Sequence, residues 1–326
     1  MNVYTNPPIV SVIIPTFGHA EFILETINSV FGQTYQEYEI IIVNDGSPDN
    51  TAELLQPLIE KGLIRYIEQI NSGVAVARNT GLAHSSGKYI AFLDDDDIWP
   101  ADKLEWQVRE IEKDVAVAIG GCAGFFELDK HFLGSPETAG ITRVIEFKDL
   151  FSGNPFVSPG QVLIDRNALE RIGGFDSNIW GADDFDLFMR LSKIGRVVKY
   201  SDISLYYRIH QTNASKNHVK MIINTEKVVC KHLSGLNWIK KLRFKTISYR
   251  WMFHYLGRLL ILDIQQKLVA HPPQVGRAFR EVSVFFGVFG CQMMLDPELF
   301  RTISMFVLRQ LTRAMRQHLA FGSTTT

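Results

Sequence analysis

Four consecutive carboxylates, Asp94-Asp95-Asp96-Asp97, directly follow a short apolar run and precede Trp99-Pro100. Adjacent like charges repel, so such a run is costly to hold together unless a cation neutralises it. Its oxygens suit a hard divalent ion, Mg or Mn, which would in turn take phosphate oxygens. Two plainer readings stay open: a solvated acidic loop, or the acidic approach to a helix that Pro100 and Leu104-Glu105-Trp106 announce.

Other segments could complete such a site. Asn44-Asp45-Gly46-Ser47 is turn chemistry first of all. Asn71-Ser72-Gly73 opens a helical stretch and places Arg78 on its second turn, a combination that suits a phosphate; a surface arginine explains the same residue equally well. Gly181-Ala182-Asp183-Asp184-Phe185-Asp186 precedes a helical stretch at 187–193. Acidic residues there serve as caps and dipole partners, and a general base on a rigid element has the same placement. His210 follows an apolar run, where a lone histidine is ordinarily structural.

The elements that must position these residues are legible in the first half of the chain. Runs at 9–15, 39–43, 63–68 and 88–93 are short, rich in Ile and Val, and bounded by turn residues, as buried strands are. Between them, 21–33, 50–59 and 74–84 show helical spacing, with Phe22, Ile23, Ile27, Val30 and Phe31 on one apolar face. This alternation predicts an α/β fold: a parallel sheet with right-handed crossovers and helices on both sides. Ligands bind such sheets beyond the carboxyl ends of the strands. Those ends carry Pro15-Thr16, the Asn44–Ser47 turn, Asn71-Ser72-Gly73 and the aspartate run. A strand-rich middle extends to about residue 210; from about 216 the pattern is helical, broken at His271-Pro272-Pro273 and Asp296-Pro297.

The whole chain of 326 residues can bury a sizeable core, and 46% hydrophobic with 21% charged residues excludes a disordered protein. The net charge of -1 hides a division. Residues 216–326 hold 17 Lys and Arg against 5 Asp and Glu, while 1–215 hold 17 against 30. An acidic front and a basic rear follow. Residues 1–10 show no signal-peptide pattern. Cys122, Cys230 and Cys291 form neither a disulfide framework nor a zinc pattern, which fits a reducing cytoplasm.

In order and spacing, the pieces together resemble the family 2 glycosyltransferases, which have the GT-A fold. The matching stretches are Val10-Ser11-Val12-Ile13-Ile14-Pro15-Thr16, Val43-Asn44-Asp45-Gly46-Ser47-Pro48-Asp49, then 71–81, 92–99, Ile172-Gly173-Gly174-Phe175-Asp176, 183–190 and 207–215, about two-thirds of the chain. The resemblance implies a GT-A catalytic domain over 1–215, a Rossmann-like, mostly parallel mixed sheet flanked by helices. Residues 216–326 would form a C-terminal helical extension. It implies that Pro15, Thr16 and Asp45 hold the nucleotide, Asp45 accepting from the ring nitrogen of a uracil or thymine, and that Gly73 and Arg78 border the diphosphate. Asp94 and Asp96 match the family's two-aspartate metal motif, with Asp96 the direct ligand of Mn or Mg, Asp95 assisting, and His210 an additional ligand. Asp184 matches the general base of an inverting transfer from a UDP- or dTDP-sugar to a hydroxyl acceptor.

Three departures stand out. Asp183 occupies a position that is usually Glu, Phe17-Gly18 replaces a common Tyr-Asn and implies a looser first loop, and Asn213-Ala214-Ser215 forms a coincidental glycosylation acceptor motif. The resemblance leads to a cytoplasmic enzyme of bacterial polysaccharide or glycan assembly, acting on a saccharide or lipid-linked saccharide, with no nucleic-acid partner. Two rivals are a sugar nucleotidyltransferase, for which the glycine-rich N-terminal loop is missing, and a catalytically silent nucleotide-sugar-binding protein. In the rear, Lys240-Lys241-Leu242-Arg243-Phe244-Lys245 and the stretch 300–320, with Ile303, Val307, Leu308, Leu311 and Met315 near helical spacing and Arg309, Arg313 and Arg316 interleaved, mix basic with apolar side chains. They suit an anionic surface at the inner face of the membrane, or equally a packed helical extension or homo-oligomer contact. The apolar stretch 282–295 is short for a membrane span.

Overall fold

Strand β1 (Val10–Thr16) is buried along its whole length, so both of its faces must be covered. Helices do this on each side. Crossover helix α1 (Ile23–Phe31) leads to β2 (Tyr38–Asn44), α2 (Thr51–Glu60) to β3 (Arg65–Glu68), and α3 (Val74–Ala83) to β4 (Tyr89–Phe92). Val10, Val12 and Ile14 on one face of β1 pack in a core with Ile23, Ile27 and Val30 of α1 and Leu55 of α2. On the opposite face, Ile41 and Val43 of β2 cluster with Ala77 of α3. Each such side chain contributes about 1.5–3 kcal/mol when fully buried. Gly81 marks how closely α3 lies on β1: a Cβ there would stand 2.3 Å from Ile13 Cγ2.

The computed structural model describes residues 9–127, 132–134, 142–269 and 274–322, without the side chains of 132–134, 268–269, 275, 308 and 311–322. The break expected at His271-Pro272-Pro273 lies outside the described residues, as do residues 1–8 and the side chains of Leu308, Leu311, Arg313, Met315 and Arg316.

After β4 come α4 (Lys103–Lys113), β5 (Ala116–Glu127), β6 (Phe132–Gly134), β7 (Arg143–Ile145), β8 (Val162–Asp165), α5 (Arg166–Arg171), α6 (Asp183–Ile194) and β9 (Arg196–Ile209). Among the described residues the sheet has nine strands, in the order β3-β2-β1-β4-β8-β5-β9-β7 with β6 on β5. Its first four are parallel, β8 runs antiparallel between β4 and β5, and β5 and β9 are again parallel. The strand order reverses between β1 and β4, where the connections leave to opposite sides and open a crevice at the carboxyl ends. The loop after β4 is drawn towards β9 by a bridge, Ile98 to Tyr206. In the middle of the chain, α6 covers the expected helical stretch at 187–193 and begins four residues ahead of it, at Asp183, while the short α5 is a helix that the strand-rich reading did not separate.

The chain forms two compact units, the second made of 214–326 with the short segments 151–153 and 180–182. It contains α7 (His218–Leu233), α8 (Trp238–Met252), a π-helical turn at Phe253–Gly257, α9 (Arg258–Val269), α10 (Val275–Leu295) and α11 (Pro297–Gly322). Tyr249, Phe253, Phe285 and Phe289 form its aromatic centre. The expected break at Asp296-Pro297 separates α10 from α11; Asp296 accepts from Leu299 N and pairs with Arg250 at 2.7 Å. Helix α10 is longer than the 282–295 run suggests. Within its stretch Gly276–Leu295 an 18-residue window has a mean hydropathy of 1.3, long and apolar enough to cross a membrane by length and composition alone, a test that the core helix of a soluble protein also passes.

Candidate active site

The fold brings the aspartate run together with the loop after β1, the residue after β9, Arg78 of α3 and Ser158 ahead of β8, and gives its four members different surroundings. Asp94 takes Arg78 Nη2 at 2.6 Å on Oδ1 and Ser158 Oγ at 2.9 Å on Oδ2. Asp95 is buried, and Phe17 N–H donates to its Oδ2 while Oδ1 lies 2.8 Å from His19 Nδ1. Asp96 Oδ2 lies 2.8 Å from His210 Nε2. Asp97 is fully buried and structural: its Oδ1 accepts from Arg208 N, and Thr26 Oγ1 donates to its carbonyl. Burial, with Asp96 and Asp94 nearby, pushes the Asp97 carboxyl well above the usual carboxylate range.

His210 directly follows β9 with its side chain buried; Nδ1 meets Thr212 Oγ1 at 2.7 Å, and its backbone N–H donates to Asn213 Oδ1. Asn213 also donates to Arg208 O and is itself buried, so the amide of the glycosylation-like motif is engaged inside the loop. His19 was missed in the sequence, where a single histidine after the first strand carries no signal of its own. Its ring meets that of His210 edge-on at 5.5 Å. The hydrogen bond to Asp95, with the charges of Asp95 and Asp96, raises the His19 pKa to about 9 against the opposing effect of burial. Ligand atoms of His19, Asp96 and His210 lie within 4.8 Å of one another. One carboxylate and two imidazoles are a donor set that fits a divalent transition ion. Asp94, by contrast, gives its oxygens to Arg78 and Ser158.

Phe17-Gly18 forms a tied loop. Gly18 (φ 73°) adopts the left-handed turn, its N–H donates to Ser47 Oγ, and Ala20 N–H donates to Asp49. Thr16 is buried at the end of β1, next to Pro15. Asp45 lies beyond β2, where Oδ1 accepts from Gln69 Nε2 (2.7 Å) and Ser72 N (2.8 Å), and Oδ2 from Gly73 N (2.8 Å). These bonds hold the residues just ahead of α3 against the β2 loop. Gly73 has φ 91°, and a Cβ there would meet nothing within 4 Å.

Arg78, buried on α3, is the centre of the charge arrangement. Its Nη1 donates to Asp183 at 2.6 Å while Nη2 holds Asp94, and its guanidinium lies over the Phe175 ring. The shorter Asp183 therefore still spans to α3. Asp184, the next residue, accepts from Asn154 Nδ2 at 3.0 Å and from Phe185 N at 2.7 Å. Burial, then the neighbouring Asp183 charge, raises its pKa to about 7, opposed by Arg78 and the hydrogen bonds. A carboxyl poised near neutrality can accept a proton at working pH. Asn154 and Ser158 read in the sequence only as turn residues of Asn154-Pro155 and Ser158-Pro159-Gly160; their contacts with Asp184 and Asp94 exist only in the fold.

Residues 11–173 match the family model described as Glycosyl transferase family 2. The Bacillus subtilis chain TuaG, named for teichuronic acid biosynthesis, is 34% identical over 223 residues, 65% of this chain and 84% of that one. An uncharacterized glycosyltransferase of Rickettsia bellii is 43% identical over 104 residues, 32% of this chain and 15% of that relative. S. aureus TarS in complex with UDP-GlcNAc has a TM-score of 0.60 at 18% identity, covering 76% of this chain and 73% of that one. Mannosyltransferase PcManGT from Pyrobaculum calidifontis, in complex with GDP-Man and Mn2+, has a TM-score of 0.59 at 19% identity, covering 95% and 88%. The sheet order and crevice are those of the GT-A fold, and this chain, a glycosyltransferase, belongs to glycosyl transferase family 2.

Proposed function

We propose that the chain transfers a sugar from a UDP- or dTDP-sugar to a hydroxyl of a saccharide acceptor, with inversion at the anomeric carbon and Asp184 as general base. The observation that carries this reading is the Arg78 bridge. One buried cation joins Asp94 of the aspartate run to Asp183, and so ties the diphosphate end of the crevice to the helix start that bears Asp184. The acceptor oxygen attacks the anomeric carbon as the carbon–oxygen bond to the diphosphate breaks on the opposite face. The acceptor proton passes to the Asp184 carboxylate, which Asn154 and the Phe185 N–H hold in orientation. A divalent ion, held by Asp96 and His210 with Asp94 nearby, would supply positive charge for the leaving diphosphate.

Asp45 favours uracil or thymine. TarS holds UDP-GlcNAc and PcManGT holds GDP-Man. With Gln69 and Ser72 on Oδ1 and Gly73 on Oδ2, the carboxylate keeps one accepting position on Oδ2. That matches the single ring N–H of uracil or thymine, whereas guanine presents two adjacent donors. Pro15 and Thr16 line the same strand ends, and the open space at Gly73 leaves room for the nucleotide. Turnover across a panel of UDP-, dTDP-, GDP- and CMP-sugars tests this. Transfer from a uridine or thymidine donor with an inverted product is expected; preferential turnover of a GDP- or CMP-sugar would overturn the assignment to uracil or thymine.

The second unit supports a place of work at an anionic surface, on the cytoplasmic face, where a lipid-linked saccharide would be met. At the start of α8, Trp238, Ile239 and Leu242 are exposed among Lys240, Lys241, Arg243 and Lys245. Apolar side chains interleaved with cations suit the headgroup boundary of a membrane. The relative named for teichuronic acid biosynthesis supports assembly of a bacterial surface glycan as the setting.

A further inference from the structure

We propose that His19 is a third protein ligand of the divalent cation, positioned by Asp95, so that the site is a two-histidine, one-carboxylate triad selecting an Mn2+-type ion over Mg2+. The inference rests on the reading of Asp96 and His210 as metal-binding residues and adds a residue and a selectivity to it.

The geometry comes from four side chains. Asp96 Oδ2 and His210 Nε2 are 2.8 Å apart. Two ligands on adjacent corners of an octahedron with bonds of about 2.1 Å are separated by about 3 Å, so this pair spans one edge of such a site. The candidate ligand atoms of all three residues lie within 4.8 Å of one another. His19 Nδ1 is engaged by Asp95 Oδ1, which leaves Nε2 as the ligand atom. A carboxylate behind a ligating imidazole fixes its tautomer and ring orientation and raises its basicity. Asp95 is itself held by the Phe17 N–H and buried, so it is a positioning residue with little freedom of its own. Phe22 completes the wall, its ring 4.9 Å from that of His210 and 6.0 Å from that of His19.

The arrangement also divides the aspartate run. Asp94 and Asp97 are committed to Arg78, Ser158 and Arg208, leaving Asp96 as the member that faces both histidines. Three protein ligands on one side leave the remaining positions for diphosphate oxygens. Mg2+ is ordinarily held by carboxylates, water and phosphate, whereas imidazole adds affinity for first-row transition ions. Loss of His19 therefore weakens Mn2+ binding far more than Mg2+ binding.

The test uses the full chain with Mn2+ alone and no nucleotide. Pulsed electron paramagnetic resonance of the bound Mn2+ is expected to show nitrogen couplings from two imidazoles in the wild type and from one in His19→Ala. Mn2+ titration should show affinity about 10–100-fold lower for Asp95→Asn, the range found when a ligand's orienting partner is removed, and at least as low for His19→Ala. His84→Ala, at an exposed histidine, serves as the control and should bind as the wild type does. The wild-type spectrum needs no variant, so a single nitrogen coupling there overturns the proposal whatever the variants do. If Asp96→Ala abolishes Mn2+ binding while His19→Ala leaves it unchanged, His19 is not a ligand and the underlying metal reading survives. If Asp96→Ala also binds Mn2+ normally, that underlying reading fails with it.

Discussion

Asp184 shows how one side chain can be recognised in a sequence while its chemistry stays hidden. Its place at the start of a helix was legible, and the family resemblance supplied the proposal that it is the base. Its pKa of about 7 was not legible, because that value comes from burial and from Asp183, both products of the fold. The folded-state pKa is raised, so the proton-accepting form grows in as pH rises through 7. Below that inflection the transfer rate should fall about tenfold per pH unit, as for any single essential base. The wild-type pH–rate profile should show this limb, and a flat profile between pH 5.5 and 8 would contradict the assignment. Asp184→Asn should lower kcat by about 10²–10⁴-fold while leaving nucleotide-diphosphate affinity unchanged. His19 marks the opposite case: nothing in its sequence neighbourhood announces it, and only the turn at Gly18 brings it opposite His210.

Among the elements, α3 carries the most, and for reasons only partly visible in sequence. Its start at Val74 and its length were predicted within a residue, because glycine and turn residues bound a helical repeat. Its depth was not, since periodicity is silent about how near a helix lies to a strand. Gly81→Ala places a Cβ against Ile13 and should destabilise the fold by about 1–3 kcal/mol, read as a lower urea midpoint with unchanged slope. Arg78→Met leaves Asp94 and Asp183 without their shared cation, a loss of about 3–5 kcal/mol for a buried pair. That penalty should shrink as pH falls, because burial already pushes the Asp183 carboxyl upward and protonation removes the stranded charge. A pH-independent loss would mean that Arg78 stabilises by packing on Phe175 instead. The strands β5 to β9 were the least legible elements: β8 and β7 are four and three residues long, and their antiparallel pairing depends on partners distant in sequence.

For the whole molecule, an acidic front over 1–215 and a basic, helical rear over 216–326 are plain from charge and pattern. What the basic rear does is decided by which apolar groups stay uncovered, and that required the packing of α8 to be seen. Flotation with anionic vesicles should recover the full chain at low salt and lose it as ionic strength rises. Replacement of Trp238 and Ile239 by Ser should abolish recovery without affecting turnover on a soluble acceptor. Recovery equal to that on neutral vesicles would favour the packed-helix or oligomer reading. The central claim is a donor site assembled around a divalent ion at the end of the aspartate run. Calorimetric titration of UDP into the full chain, with Mn2+ and with a chelator, tests it most directly in the wild type and in Asp96→Ala. The account predicts tight, Mn2+-dependent binding that weakens about 10-fold or more in Asp96→Ala. Equal UDP affinity with and without the ion in the wild type would contradict it.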